Sequence, residues 1–119
     1  MLRLGHLNLN VSDVNRAADF YATWFGFDQI LAEYPDNTRF ITDGSGFELA
    51  LHQEIRSAAP VDWHFGFLAS DARSVRTLMA SMHEAGEMVG DLEDSDQYVG
   101  FKCRDPDGHE IEVYFEPRG

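Results

Sequence analysis

The chain repeats itself. Adding 58 to the residue number carries His6 to His64, Asp13 to Asp71, Ala17 to Val75, Phe20 to Leu78, Tyr21 to Met79 and Trp24 to Met82. The match is one of pattern rather than identity, and such self-similarity marks a duplicated supersecondary unit. Each copy must therefore fold by the same local rules, which limits the architectures open to the chain.

Both copies read in the same order. Residues 4–11 alternate, with Leu7, Leu9 and Val11 on one side and His6, Asn8 and Asn10 on the other, which predicts a strand with one buried face. Ser12-Asp13 then signals a helix start. Ala17, Phe20, Tyr21 and Trp24 form one apolar helical stripe, and Gly26 ends it. Strands are expected over 28–34 and 39–42, parted by Pro35-Asp36-Asn37, and over 47–51 after Gly44-Ser45-Gly46. Residues 53–60 read as a connector.

The second copy begins with a strand over 63–68. Ser70-Asp71 starts its helix, with the stripe Val75, Leu78, Met79 and Met82, and Gly86 ends it. A short strand at 88–89, an acidic loop over 90–97 and a closing hairpin of 98–103 with 109–115 complete it. The hairpin turns at Asp105-Pro106-Asp107-Gly108, where proline presets one backbone angle and glycine tolerates the exit. The expected fold class is α+β: two βαβββ modules, about 1–55 and 61–117, making one domain over 1–119. Their sheets curve into a half-barrel with the helices outside. Beyond the helices the offset slips. Matching Glu48 to Glu112 needs 64, which puts about six extra residues in the acidic loop.

Composition narrows the partners. The net charge of −12, with nine Lys and Arg scattered along the chain, argues against nucleic acid and anionic membrane surfaces. It is compatible with cations. No apolar run approaches a membrane span, and Met1-Leu2-Arg3 leads straight into a strand without the form of a signal peptide. The single cysteine, Cys103, shares strand parity with Val99 and Phe101 and reads as a small buried hydrophobe. A cytoplasmic location is the expectation.

The polar faces carry the candidate chemistry. Each module offers a histidine early in its first strand and a glutamate in its last: His6 with Glu48, and His64 with Glu112. One such residue alone is ordinary. Four in repeat-related positions form a donor set of two imidazoles and two carboxylates, suited to one divalent ion per site (Mn, Fe, Co, Ni or Zn). Asn8, Asn10, His52, Trp63, Tyr98, Lys102 and Tyr114 are candidates to line the substrate cleft. Arg39 is a second cation that could reach it. His83 reads as exposed and His109 as structural.

Leu4-Gly5-His6-Leu7-Asn8-Leu9-Asn10-Val11-Ser12-Asp13 with Phe20-Tyr21, and Asp105-Pro106-Asp107-Gly108-His109-Glu110-Ile111-Glu112, resemble the vicinal oxygen chelate superfamily. That group holds glyoxalase I, methylmalonyl-CoA epimerase, extradiol dioxygenases, fosfomycin resistance enzymes and bleomycin-binding proteins. The resemblance covers essentially the whole chain. It implies that His6, Glu48, His64 and Glu112 are metal ligands, a set most similar to that of glyoxalase I. It also implies a symmetric homodimer in which each site draws one module from each chain.

Three functions follow from that resemblance. The first is metal-dependent lyase or isomerase chemistry, with proton abstraction next to a carbonyl and Glu112 or Glu48 as the base. The second is a non-catalytic, bleomycin-resistance-like protein that sequesters a cationic drug. The third, open if only His6, His64 and Glu112 bind, is an Fe(II) extradiol-type dioxygenase. Asn10 stands where glyoxalase I has an arginine, so glutathione dependence is not implied. The acidic segment 90–97 would repel a phosphonate, which argues against fosfomycin chemistry.

Overall fold

A computed structural model describes residues 1–55 and 62–117. The expected connector over 53–60 lies mostly outside them. The chain forms two compact units, Met1–Ala59 and Pro60–Gly119.

The first unit runs β1 (His6–Val11), α1 (Val14–Phe25), β2 (Gln29–Tyr34), β3 (Thr38–Thr42) and β4 (Glu48–Gln53). Its sheet has the order β1-β4-β3-β2. β1 runs parallel to β4, and the other pairs are antiparallel. The second unit runs β5 (His64–Leu68), α2 (Ala72–Glu84), β6 (Val89–Asp94), β7 (Val99–Arg104) and β8 (Glu110–Phe115). Its order, β5-β8-β7-β6, is the same, with β5 parallel to β8. Both units are thus βαβββ, as the repeat predicts.

The helices form where the caps put them. Asp13 accepts from the backbone N–H groups of Asn15 and Arg16 at 3.0 and 3.1 Å, and Asp71 accepts from Ser74 N–H at 2.7 Å. Each aspartate satisfies donors that a first turn leaves orphaned. The Ser74 backbone bond holds the Asp71 carboxyl below its usual range. Gly26 closes α1 in the left-handed region at φ 74.

One face of each sheet lies under its own helix. In the first unit Leu9, Val11, Ile41, Leu49 and Leu51 are buried together with Ala17, Phe20 and Tyr21 of α1. In the second, Val99, Phe101, Cys103, Ile111 and Val113 are buried with Val75 and Met82 of α2. The strand alternation leaves His6, Asn8, Asn10, Glu48 and His52 on the opposite face of one sheet. It leaves His64, Glu110, Glu112, Tyr114 and Lys102 on that of the other.

Three sequence readings are corrected. The stretch read as an acidic loop is largely strand β6, which pairs with β7 at the end of the strand order among the described residues. Glu48 is registered against His6, but the residue registered against His64 is Glu110. The sheets therefore relate Glu48 to Glu110 at an offset of 62, and Glu112 falls where the first unit has Ala50. Finally, Arg39 lies on the helix side of its sheet. It bonds Asn15 Oδ1 of α1 at 3.0 Å and Glu33 Oε1 at 2.7 Å.

Candidate metal and substrate site

The parallel pair β5–β8 brings His64 and Glu112 together. Glu112 stands opposite Gly66, one residue pair along from His64 on the same face. His64 Nε2 lies 3.2 Å from Glu112 Oε1, and His64 Nδ1 lies 3.8 Å from Glu110 Oε2. The His64 side chain is 44% exposed and that of Glu112 21%, so the pair lies at the surface of the polar face rather than in the core. A cavity of about 280 Å³ opens there, lined by His64, Phe65, Gly66, Glu112, Tyr114 and Glu116.

Glu112 is engaged from its other side as well. The Tyr98 hydroxyl donates to Glu112 Oε2. Burial, and then the bond to the Glu112 carboxylate, push the Tyr98 phenol well above its ordinary range, so it stays protonated and donating. The Tyr98 and Tyr114 rings lie nearly parallel, 12° apart in plane with centroids 6.2 Å apart. Lys102 is registered across from Glu112 on β7. It also lines a second cavity of about 340 Å³ with Arg104, Glu110, Glu87 and Asp91.

In the first unit, His6 and Glu48 are neighbours across β1 and β4. The His6 ring meets the edge of Phe40 at 5.5 Å. Asn8 donates weakly to Asn10 at 3.4 Å. His52 shares the face, with its Nδ1 bound 2.8 Å from Thr38 Oγ1. Trp63 stands out of phase with His64 and packs against Phe65 and the buried His109, away from the polar face.

Among the described residues no group of three or more His, Cys, Asp or Glu is arranged to hold a metal ion. The four-ligand expectation thus reaches, within a unit, as far as a pair. The donor chemistry of His64 and Glu112 fits a divalent ion. Two donors bonded to one ion at about 2.1 Å stand roughly 3 to 3.4 Å apart, and this pair meets that spacing.

Sequence reasoning missed two features. Glu110, registered against His64, is absent from the candidate ligands read from the sequence. Tyr98 was placed near the cleft, but its bond to Glu112 was not foreseen. Gly100, two residues on, was a usable signal, because a glycine inside a strand marks a close approach.

With its duplicated βαβββ units and a histidine–glutamate pair across β5 and β8, the chain belongs to the Glyoxalase/Bleomycin resistance protein/Dioxygenase superfamily, whose model matches residues 3–113. An uncharacterised protein of Pseudomonas aeruginosa is 32% identical over 98% of this chain and 91% of its own length. A trivalent organoarsenical cleaving enzyme of a Bacillus species is 23% identical over 96% of this chain and 73% of its own length. The structure of a possible glyoxalase from Bacillus cereus superposes with a TM-score of 0.82 at 26% identity, covering 95% of this chain and 98% of that one. Among the described residues, no helix is long and apolar enough to cross a membrane.

Proposed function

We propose that the protein is a divalent-metal-dependent enzyme of lyase or isomerase type, moving a proton next to a carbonyl on a small substrate with two neighbouring oxygens. The observation that supports this most is the approach of His64 Nε2 to Glu112 Oε1 at 3.2 Å on an accessible strand face. His6, Glu48, His64 and Glu112 would hold the ion, with the two pairs drawn from different chains of a symmetric homodimer. When bound, a Mn, Fe, Co, Ni or Zn ion supplies Lewis acidity that stabilises negative charge on substrate oxygens.

The chain's own residues do the rest. Glu112 lines the cavity, and on loosening from the ion its Oε1 would accept and return the proton. Tyr98 occupies Oε2 and so keeps the two oxygens distinct. Glu48 takes the base role if Glu112 stays fixed. Lys102, on the same face, gives an oxyanion a cationic neighbour.

The arsenical-cleaving activity of one relative is not carried over. Trivalent arsenic is captured by thiolates, and the single thiol here, Cys103, is buried and pushed up to about 12. A second reading, sequestration of an aromatic cation, draws on the parallel Tyr98 and Tyr114 rings and the net charge of −12.

Elemental mass spectrometry on untagged protein, purified without chelators, tests the proposal. About one transition-metal ion per chain is expected, reduced by Glu48→Gln and by Glu112→Gln. No retained metal after dialysis against Mn, Ni and Zn overturns the enzyme reading. Tight binding of aromatic cations to metal-free protein would then establish sequestration.

A further inference from the structure

Tyr98 sits just before β7, and its backbone is tied down. Its carbonyl accepts from Ser95 N–H at 2.9 Å, and its own N–H donates to Ser95 Oγ at 3.2 Å. From there the ring lies across Gly100. A Cβ built at Gly100 would overlap the Tyr98 ring. Neither Gly100 nor Gly66 has a positive φ, so backbone conformation does not require glycine at either place. What each provides is space. Tyr114 lies over Gly66 in the same way, where a Cβ would come within 3.1 Å of Tyr114 Cε1.

The arrangement directs one phenol to one carboxylate oxygen. A glutamate carboxylate rotates easily about its last torsion, so its two oxygens exchange unless one is held. Holding Oε2 leaves Oε1 presented to His64.

We infer that Tyr98 is a positioning residue for Glu112: seated on Gly100, it locks Oε2 and thereby aims Oε1 at the metal position shared with His64. This rests on the metal-dependent reading above. Outer partners that orient ligands contribute about 10- to 100-fold in metal affinity.

The test uses Co(II) titration of the metal-free full chain, followed by calorimetry and by the Co(II) absorption spectrum. Wild type is compared with Tyr98→Phe, Gly100→Ala and the double variant, and thermal melts confirm folding. Tyr98→Phe is expected to weaken Co(II) binding about tenfold and to alter the spectrum. Gly100→Ala displaces the ring and should do the same. The double variant should bind no worse than either single one, because both remove the same contact. Tyr98→Phe binding within about twofold of wild type, even with a lowered melting temperature, would overturn the positioning role while leaving the metal reading intact. Multiplicative losses would also overturn it, since Gly100 would then act separately. Wild type that binds no Co(II) would overturn both together.

Discussion

Asp105 closes on His109 inside the turn that launches β8: its Oδ2 lies 2.7 Å from His109 Nδ1, with both side chains almost fully buried. Its other oxygen, Oδ1, accepts from the backbone N–H groups of Asp107 and His109, each at 2.9 Å. One carboxylate thus satisfies three donors and fixes where β8 begins. The position of Glu112 depends on that start. Removing the carboxylate strands buried donors, which costs more than the bonds contribute net. Asp105→Ala should lose about 3 kcal/mol in urea unfolding. A loss under about 1 kcal/mol, the size of one ordinary hydrogen bond, would show that the clamp is dispensable.

Gly66→Ala sets two neighbours against a new methyl group, Tyr114 Cε1 at 3.1 Å and the Glu112 carbonyl oxygen at 3.2 Å. The ring can swing aside, but the strand carbonyl cannot. A destabilisation of about 1–2 kcal/mol is expected, together with a changed tyrosine signal in near-ultraviolet circular dichroism. Gly90 has nothing within 4 Å of its added Cβ, so Gly90→Ala should change stability by less than about 0.5 kcal/mol.

Cys103 makes alkaline stability pH-dependent. Its thiol has an ordinary value of 9.0 and is pushed up to about 12, first by burial and then by the charges of Asp105 and Glu87. The folded state therefore favours the neutral thiol. That advantage is whole below pH 9.0 and is lost as pH climbs through 12. Cys103→Ala should flatten the fall of urea midpoint over this interval. Thiol reagents at pH 8 should label native protein far more slowly than unfolded protein. Equal rates would contradict the burial.

Glu110 and Glu112 flank the same histidine on one strand, which makes their roles separable. Glu110 is 3.8 Å from His64 and shares itself with Arg104 Nη2 at 3.6 Å, whereas Glu112 Oε1 is 3.2 Å from His64. Glu112→Gln should reduce Co(II) affinity at least tenfold more than Glu110→Gln. The reverse order would move the proposed ligand to Glu110 and make the two units symmetric.

That last alternative shows how far the sequence could be read. Alternation identified the strands, their buried faces and the histidines and glutamates on the polar sides. The caps at Asp13 and Asp71 and the stop at Gly26 were legible because they are short-range chemistry. Register was not. A shift of two residues returns every side chain to the same face, so parity cannot tell Glu110 from Glu112 as the partner of His64. β6 escaped for another reason. It is an edge strand whose Asp91, Leu92, Glu93 and Asp94 are all exposed, so no buried face imprinted an alternation. The bond from Tyr98 to Glu112 depends on a ring lying down over Gly100; the glycine signals a close approach, but not which side chain makes it or where that side chain leads.

Gly66 and Gly100 occupy strand interiors, where propensity favours almost any other residue and an alanine would ordinarily add about 0.5–1 kcal/mol. A programme seeking heat resistance would choose them early. In this chain, the methyl groups that such a programme added would unseat Tyr114 and Tyr98. At Gly66 the Glu112 carbonyl already makes the exchange costly to stability, whereas at Gly100, where the nearest atoms are those of the Tyr98 ring, selection for durability and selection for an aimed carboxylate pull in opposite directions.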